Sequence, residues 1–179
     1  MQHKAFLFDS STFELELKLL LVQSLVMRDC ASLISFIVSN LDVLSDPYEG
    51  EPLDETWQNL LETRDAHQLG DFALTKYYDP ADDLGLGDGW DNAQQFAYPL
   101  AKALGYSPIL GTTIGTTEEE FDPGKMGSYI QSVPQVEASL RALIDAVEDH
   151  WKEALEEVIS MIQLLEAAAK LGKGLYITF

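Results

Sequence analysis

Apolar positions along the chain fall into blocks whose spacing predicts the elements. From Thr12 to Met27 the sequence reads TFELELKLLLVQSLVM after Ser10 and Ser11, and hydroxyl side chains there suit the start of a helix near Thr12. Its middle, Leu19 to Val22, is apolar all round, which predicts burial on more than one side. Between Ala31 and Leu44, the residues Leu33, Ile34, Ile37, Leu41 and Leu44 recur at helical spacing. The first 45 residues therefore read as a helical hairpin, ended by Asp46-Pro47.

A turn-rich acidic stretch then leads to Asp54 as an N-cap, with Trp57, Leu60 and Leu61 as the inward stripe of a short helix. Gly70 is expected to close that helix, and Phe72 to Tyr78 reads as a strand from its aromatic content. Asp79 to Asn92, DPADDLGLGDGWDN, predicts no regular element. Asn92 to Leu104 reads as a helix in which Pro99 costs about 3 kcal/mol unless the helix starts or kinks there. Gly105 to Gly111 is a short apolar piece of strand character, and 112–132 reads as a long connection.

Ser132 and Gln135 have the spacing of a capping box, with Pro134 in the first turn, where its missing N–H is harmless. Val136, Leu140, Leu143, Ile144 and Val147 continue the stripe of that helix. A second helix is expected over Trp151 to Leu171, separated by a break near Asp149-His150, with Gly172 just past its end. The tail, Gly174 to Phe179, reads as a strand that needs a sheet to join. The pattern predicts one domain over 1–179, of α+β class and mostly helical, with a small sheet that includes the C-terminal strand. Its parts are a helical hairpin (1–45), an acidic, loop-rich middle (46–131) and long helices with the terminal strand (132–179).

Composition narrows the function. Hydrophobic residues are 46% and charged residues 23% of the chain, ordinary globular usage. Thirty acids stand against 11 Lys plus Arg, a formal net charge of −19. So few cations build no basic face for nucleic acid, and an anionic membrane surface repels such a chain. The start shows no apolar h-region and no stretch suits a membrane span. Cys30, the sole cysteine, has no internal disulfide partner and apolar neighbours. These features make the cytoplasm the expected compartment.

Charge is also unevenly placed. Residues 42–91 hold 14 acids against only Arg64 and Lys76, and a one-sided field of that kind attracts cationic partners. Aromatic residues interleave with these acids: Tyr48, Trp57, Phe72, Tyr77, Tyr78, Trp90, Phe96 and Tyr98. Core packing accounts for most of them, and Trp90, between Gly89 and Asp91, is the one expected to be exposed. Solubility alone also accounts for the charge.

Asp79, Asp82, Asp83, Asp88 and Asp91 offer hard oxygen ligands, but their spacing fails the EF-hand pattern. The reading is a solvated loop with no metal, Asp83 and Asp88 being the carboxylates a metal-assisted alternative would use. Gly85, Gly87 and Gly89 lack dinucleotide-fingerprint spacing, and no P-loop or nucleophile elbow occurs. His3, His67 and His150 show no paired metal-ligand spacing. His67 beside Asp65 or Asp71 stays open as a constellation, and Cys30 reads as a buried hydrophobe before a nucleophile.

The blocks DPYEGEPLDETW (46–57), LGDFALTKYYDP (69–80), FDPGKMGSYIQS (121–132) and GKGLYITF (172–179) resemble a family of small uncharacterised bacterial proteins, cyanobacterial ones among them. The helix, glycine and apolar strand of the tail are also similar to a small bacterial family related to the YfbM protein. These resemblances imply a compact bacterial cytoplasmic domain and supply neither an activity nor a residue role.

Three functional expectations follow. The first is a non-enzymatic protein-binding module, immunity- or inhibitor-like, that engages a basic protein through Asp79, Asp82, Asp83, Asp88, Trp90 and Asp91 without a cofactor. The second is a carboxylate-based hydrolase, with or without a metal ion, using the 79–92 loop with His67. The third is a structural or oligomeric protein with apolar helix faces exposed in 133–171. Oligomeric state is left open.

Overall fold

The computed structural model describes residues 2–149 and 156–179. A strand absent from the expected pattern opens the chain: β1, Lys4–Phe8. It is followed by α1 (Ser10–Glu16), α2 (Lys18–Met27) and α3 (Ala31–Ser39). Next come α4 (Ala66–Leu74), α5 (Trp90–Leu104), β2 (Thr112–Thr113), β3 (Ser128–Gln131), α6 (Val133–Asp149), α7 (Glu156–Leu171) and β4 (Gly174–Thr178). The class is α+β, with the C-terminal strand inside the sheet as expected.

The sheet is four-stranded and antiparallel in the order β1-β4-β3-β2. β4 is central, with Phe6 and Ile130 both opposite Tyr176, and Ala5 and Tyr129 both opposite Ile177. Side chains alternate across a strand, so the two faces separate cleanly. Phe6, Phe8, Ile130 and Tyr176 pack with α1–α4, while Ala5, Leu175 and Ile177 pack with α5–α7. Burial on both faces explains why Leu175-Tyr176-Ile177 is continuously apolar rather than alternating.

Local signals place several elements. The helical start near Thr12 holds, but its cap is Asp9, whose carboxylate accepts the Thr12 amide at 3.2 Å. A break at Leu17 divides the expected helix in two. At α6 the Gln135 side chain accepts the Ser132 amide at 2.8 Å. α7 ends in a Schellman turn, with Lys173 N to Ala168 O at 2.9 Å and Gly172 N to Ala169 O at 3.0 Å, Gly172 being left-handed. The predicted break near Asp149-His150, and Trp151, fall on or beside residues outside the described ones.

Other expectations are corrected. Phe72–Tyr78 is no strand: Phe72 to Leu74 complete α4, which is capped by Asp65 accepting the Gln68 amide at 2.9 Å. Every residue from Leu69 to Leu74 is buried, so the polar, half-buried side chains of this helix are confined to His67 and Gln68 in its first turn. Gly70 lies inside it, where an added Cβ would stand 2.6 Å from Leu21 Cδ1 and 2.7 Å from Phe121 Cε2. Trp57 and Leu60 belong to a separate 3₁₀ turn. The apolar piece around Ile109 forms a tight turn closed by a Ser107–Gly111 bridge, and the long connection after it contains β2 and β3. Exposed apolar side chains concentrate on α1–α3 (Leu15, Leu19, Val26, Met27, Ile34, Val38), whereas Ile159 and Leu171 are those on the described part of 133–171.

Candidate functional site

The acidic segment after α4 lies along the outer edge of β1. His3 N donates to Gly87 O at 2.9 Å, Gly87 N to His3 O at 3.1 Å, and Leu84 N to Ala5 O at 2.8 Å. Asp83 Oδ1 accepts the amides of Ala5, at 3.1 Å, and of Gly85, at 2.9 Å. The outward amide and carbonyl groups of His3 and Ala5 at this sheet edge are satisfied in this way. Gly85 is required for the approach, because a Cβ there would run into the His3 backbone.

The remaining acidic candidates face outward. Asp79 closes its own turn by accepting the Ala81 amide at 2.9 Å. Asp82 and Asp88 are exposed, and exposed Asp91, in the first turn of α5, accepts from Gln95 Nε2 at 3.0 Å. Trp90 is the first residue of α5 rather than a loop residue, and it is half-buried with its ring edge-on to Phe179 at 4.9 Å. Its expected exposure is thereby corrected. Among the described residues no three His, Cys, Asp or Glu side chains come together to hold a metal ion.

His67 Nδ1 accepts the Asp122 amide at 3.1 Å, and its ring stacks on Phe121. With Asp65, Cys30, Arg28 and Arg64 it lines a wide groove of about 430 Å³. Arg28 is ion-paired there with Glu119 at 3.2 Å. Burial, then Asp65 and Asp29, raises the Cys30 thiol pKa, which opposes nucleophilic use. Buried His3 accepts the Leu86 amide on Nδ1 at 3.1 Å, and desolvation holds its pKa down at about 4.

Asp71 stands elsewhere, at the floor of a cavity of about 140 Å³. It projects from α4 and is 6% exposed. The turn after α3 sets the cavity's opposite wall: Asp46 Oδ1 accepts the amides of Tyr48, at 2.7 Å, and Glu49, at 3.2 Å. Thr75 Oγ1 accepts the Ser45 amide at 3.0 Å and so ties this turn to the end of α4. Tyr48 is thereby placed at the same cavity as Asp71, and the phenol and the carboxyl perturb each other's titration. Although 67% of Tyr48 is exposed, it lines this cavity together with Phe6, Tyr78 and Phe179. The Tyr78 ring lies 4.7 Å from Phe6 and 5.0 Å from Tyr176.

Burial dominates the electrostatics. Desolvation pushes the Asp71 pKa up to about 7; the polar Tyr48 hydroxyl nearby opposes this and the Asp46 charge adds to it. The Tyr48 phenol is itself raised, by desolvation first and then by Asp71. Among the described residues no cation forms an ion pair with Asp71. The carboxyl therefore changes between a neutral donor and an uncompensated anion near neutral pH. Asp71 was legible only as a possible partner of His67. The better signal is its position between Gly70 and Phe72, a charge inside a run that is otherwise apolar and buried.

Of the other aromatic candidates, Trp57, Phe72, Tyr77 and Tyr78 are buried, Phe96 is half-buried and Tyr98 is exposed. No protein-family model matches the chain, and no curated protein or solved structure matches it.

Proposed function

We propose that this protein is a non-enzymatic binding module, immunity- or inhibitor-like, that engages a basic protein through its acidic middle segment. The observation that carries the reading is a fixed acidic rim. Exposed Asp79, Asp82 and Asp83 belong to a segment pinned to β1 by paired backbone bonds, and Asp83 also lines the cavity that Tyr48 and Asp71 share. Preorganised charge of one sign steers an oppositely charged partner and lowers the ordering cost of binding. The net charge of −19 extends that field over the whole chain.

The test compares association rates of wild type and an Asp79→Asn/Asp82→Asn/Asp88→Asn variant with poly-lysine and with a basic protein, at low and high salt. Support is fast association at low salt that slows steeply with salt and falls in the variant. Association indifferent to salt and to these three charges contradicts the reading. One observation favours the hydrolase alternative in altered form: a carboxyl titrating near neutrality suits general acid–base chemistry, and that carboxyl is Asp71 rather than one in the 79–92 loop.

A further inference from the structure

We infer that the cavity over Asp71 receives one organic cation, an alkylammonium or alkylguanidinium group of the size of a lysine or arginine side chain. The inference rests on the basic-partner reading and names the chemistry of its anchor. Size limits the ligand first: about 140 Å³ is well below the roughly 300–1,000 Å³ of a pocket for a drug-sized molecule. Charge limits it next. Asp71 lies nine-tenths buried at the floor with no ion-pair partner among the described residues, and a buried carboxylate is stabilised by a cation that enters with it.

The walls fit the same ligand. Phe6, Tyr48 and Tyr78 present aromatic surface around the carboxyl, and ring faces attract ammonium and guanidinium groups. Pro47, Pro80 and Pro123 add apolar surface against which the methylenes of the stem can lie. Exposed Asp83 lies at the same cavity and adds negative charge. Lys4, on the sheet face that carries Phe6, also lines it and is the group a ligand cation must approach.

Protonation supplies an independent handle. Because burial holds Asp71 near neutrality, cation binding requires loss of its proton. Affinity should rise about tenfold between pH 6 and pH 8, with proton release on binding at the lower pH.

The experiment is calorimetric titration of the full-length protein with n-butylammonium, n-propylguanidinium, a short lysine-containing peptide, n-butanol and butyrate. Expected are binding of the cations, no binding of butanol or butyrate, and a loss of at least tenfold in Asp71→Asn. Tighter binding of the peptide than of free butylammonium identifies a protein side chain as the source; equal affinity points to a free amine. Tyr48→Ala removes an exposed wall without disturbing the core and should weaken cation binding about threefold, which keeps the inference testable should Asp71→Asn fail to fold. Removing the rim cation with Lys4→Gln should strengthen it. Butyrate binding in preference to butylammonium, or cation affinity unchanged in both Asp71→Asn and Tyr48→Ala, overturns the inference. Salt-dependent poly-lysine association that survives in Asp71→Asn, without small-cation binding by wild type, leaves the basic-partner reading standing and removes only its anchor.

Discussion

The amide of Ala5 donates to the carboxylate of Asp83 at 3.1 Å, joining the first strand of the sheet to an acidic segment 78 residues later. This contact turns a loop with the composition of a solvated linker into the cover of a sheet edge. Asp83→Ala removes an acceptor shared with Gly85. It should cost about 1.5–3 kcal/mol, the scale of a hydrogen bond to a charged group. Urea denaturation measures the loss, and amide exchange at Ala5 should speed up while exchange in α7 follows only the change in global stability. Unchanged protection at Ala5 would contradict the role given to Asp83.

Two buried groups give stability opposite slopes with pH. The Asp71 pKa is raised to about 7 in the fold, so between about 4 and 7 the native state holds the proton more tightly than the unfolded chain and stability falls as pH rises. The His3 pKa is lowered to about 4. Between about 4 and 6.5 the unfolded state binds the extra proton, and stability rises with pH there. The two slopes offset each other in wild type. Asp71→Asn should expose the rising His3 limb and, at pH 8 without ligand, stabilise by on the order of 4 kcal/mol. Thermal melts at pH 5 and pH 8 check the sign: the stabilisation by Asp71→Asn must be larger at pH 8.

Gly70→Ala sets two effects against each other. Alanine gains about 1 kcal/mol of helix propensity. Its Cβ would however stand 2.6 Å from Leu21 and 2.7 Å from Phe121, both fully buried, and overpacking of a core costs about 1–3 kcal/mol. A net loss of stability is expected, measured as a lower urea midpoint. A gain would show that α4 can shift away from α2.

How much of this was readable in the chain depends on the range of the interaction involved. The Ser132–Gln135 cap and the Gly172 turn lie within a few residues of their partners, and both were legible. So was the terminal strand, because Leu175, Tyr176 and Ile177 are continuously apolar. β1 was not: its partners stand at the other end of the chain, Lys4 opposite Thr178. β3 hides its period because polar Ser128 and Gln131 are buried beside Ile130. α4 resembles a strand because its last six residues, Leu69 to Leu74, are buried without interruption, leaving only His67 and Gln68 in its first turn to mark a polar side.

The site was legible as a region rather than as residues. Charge counting located the acidic middle segment, and Asp79, Asp82, Asp88 and Asp91 are indeed exposed. It did not single out Asp83, exposed but bonded to the distant Ala5 amide, or Asp71, whose importance comes from desolvation. Desolvation is a property of the folded surroundings, and the only trace in the chain is one aspartate in a run of buried positions.

A basic partner is expected to meet this protein over the rim around Asp71. Titration of the ¹⁵N-labelled protein with a lysine-rich peptide at low salt tests it most directly. Shifts confined to the amides of 46–50, Asp71 and 79–91, and abolished by high salt, are the predicted result. Shifts centred on α2 and α3, or persisting unchanged at high salt, would contradict it.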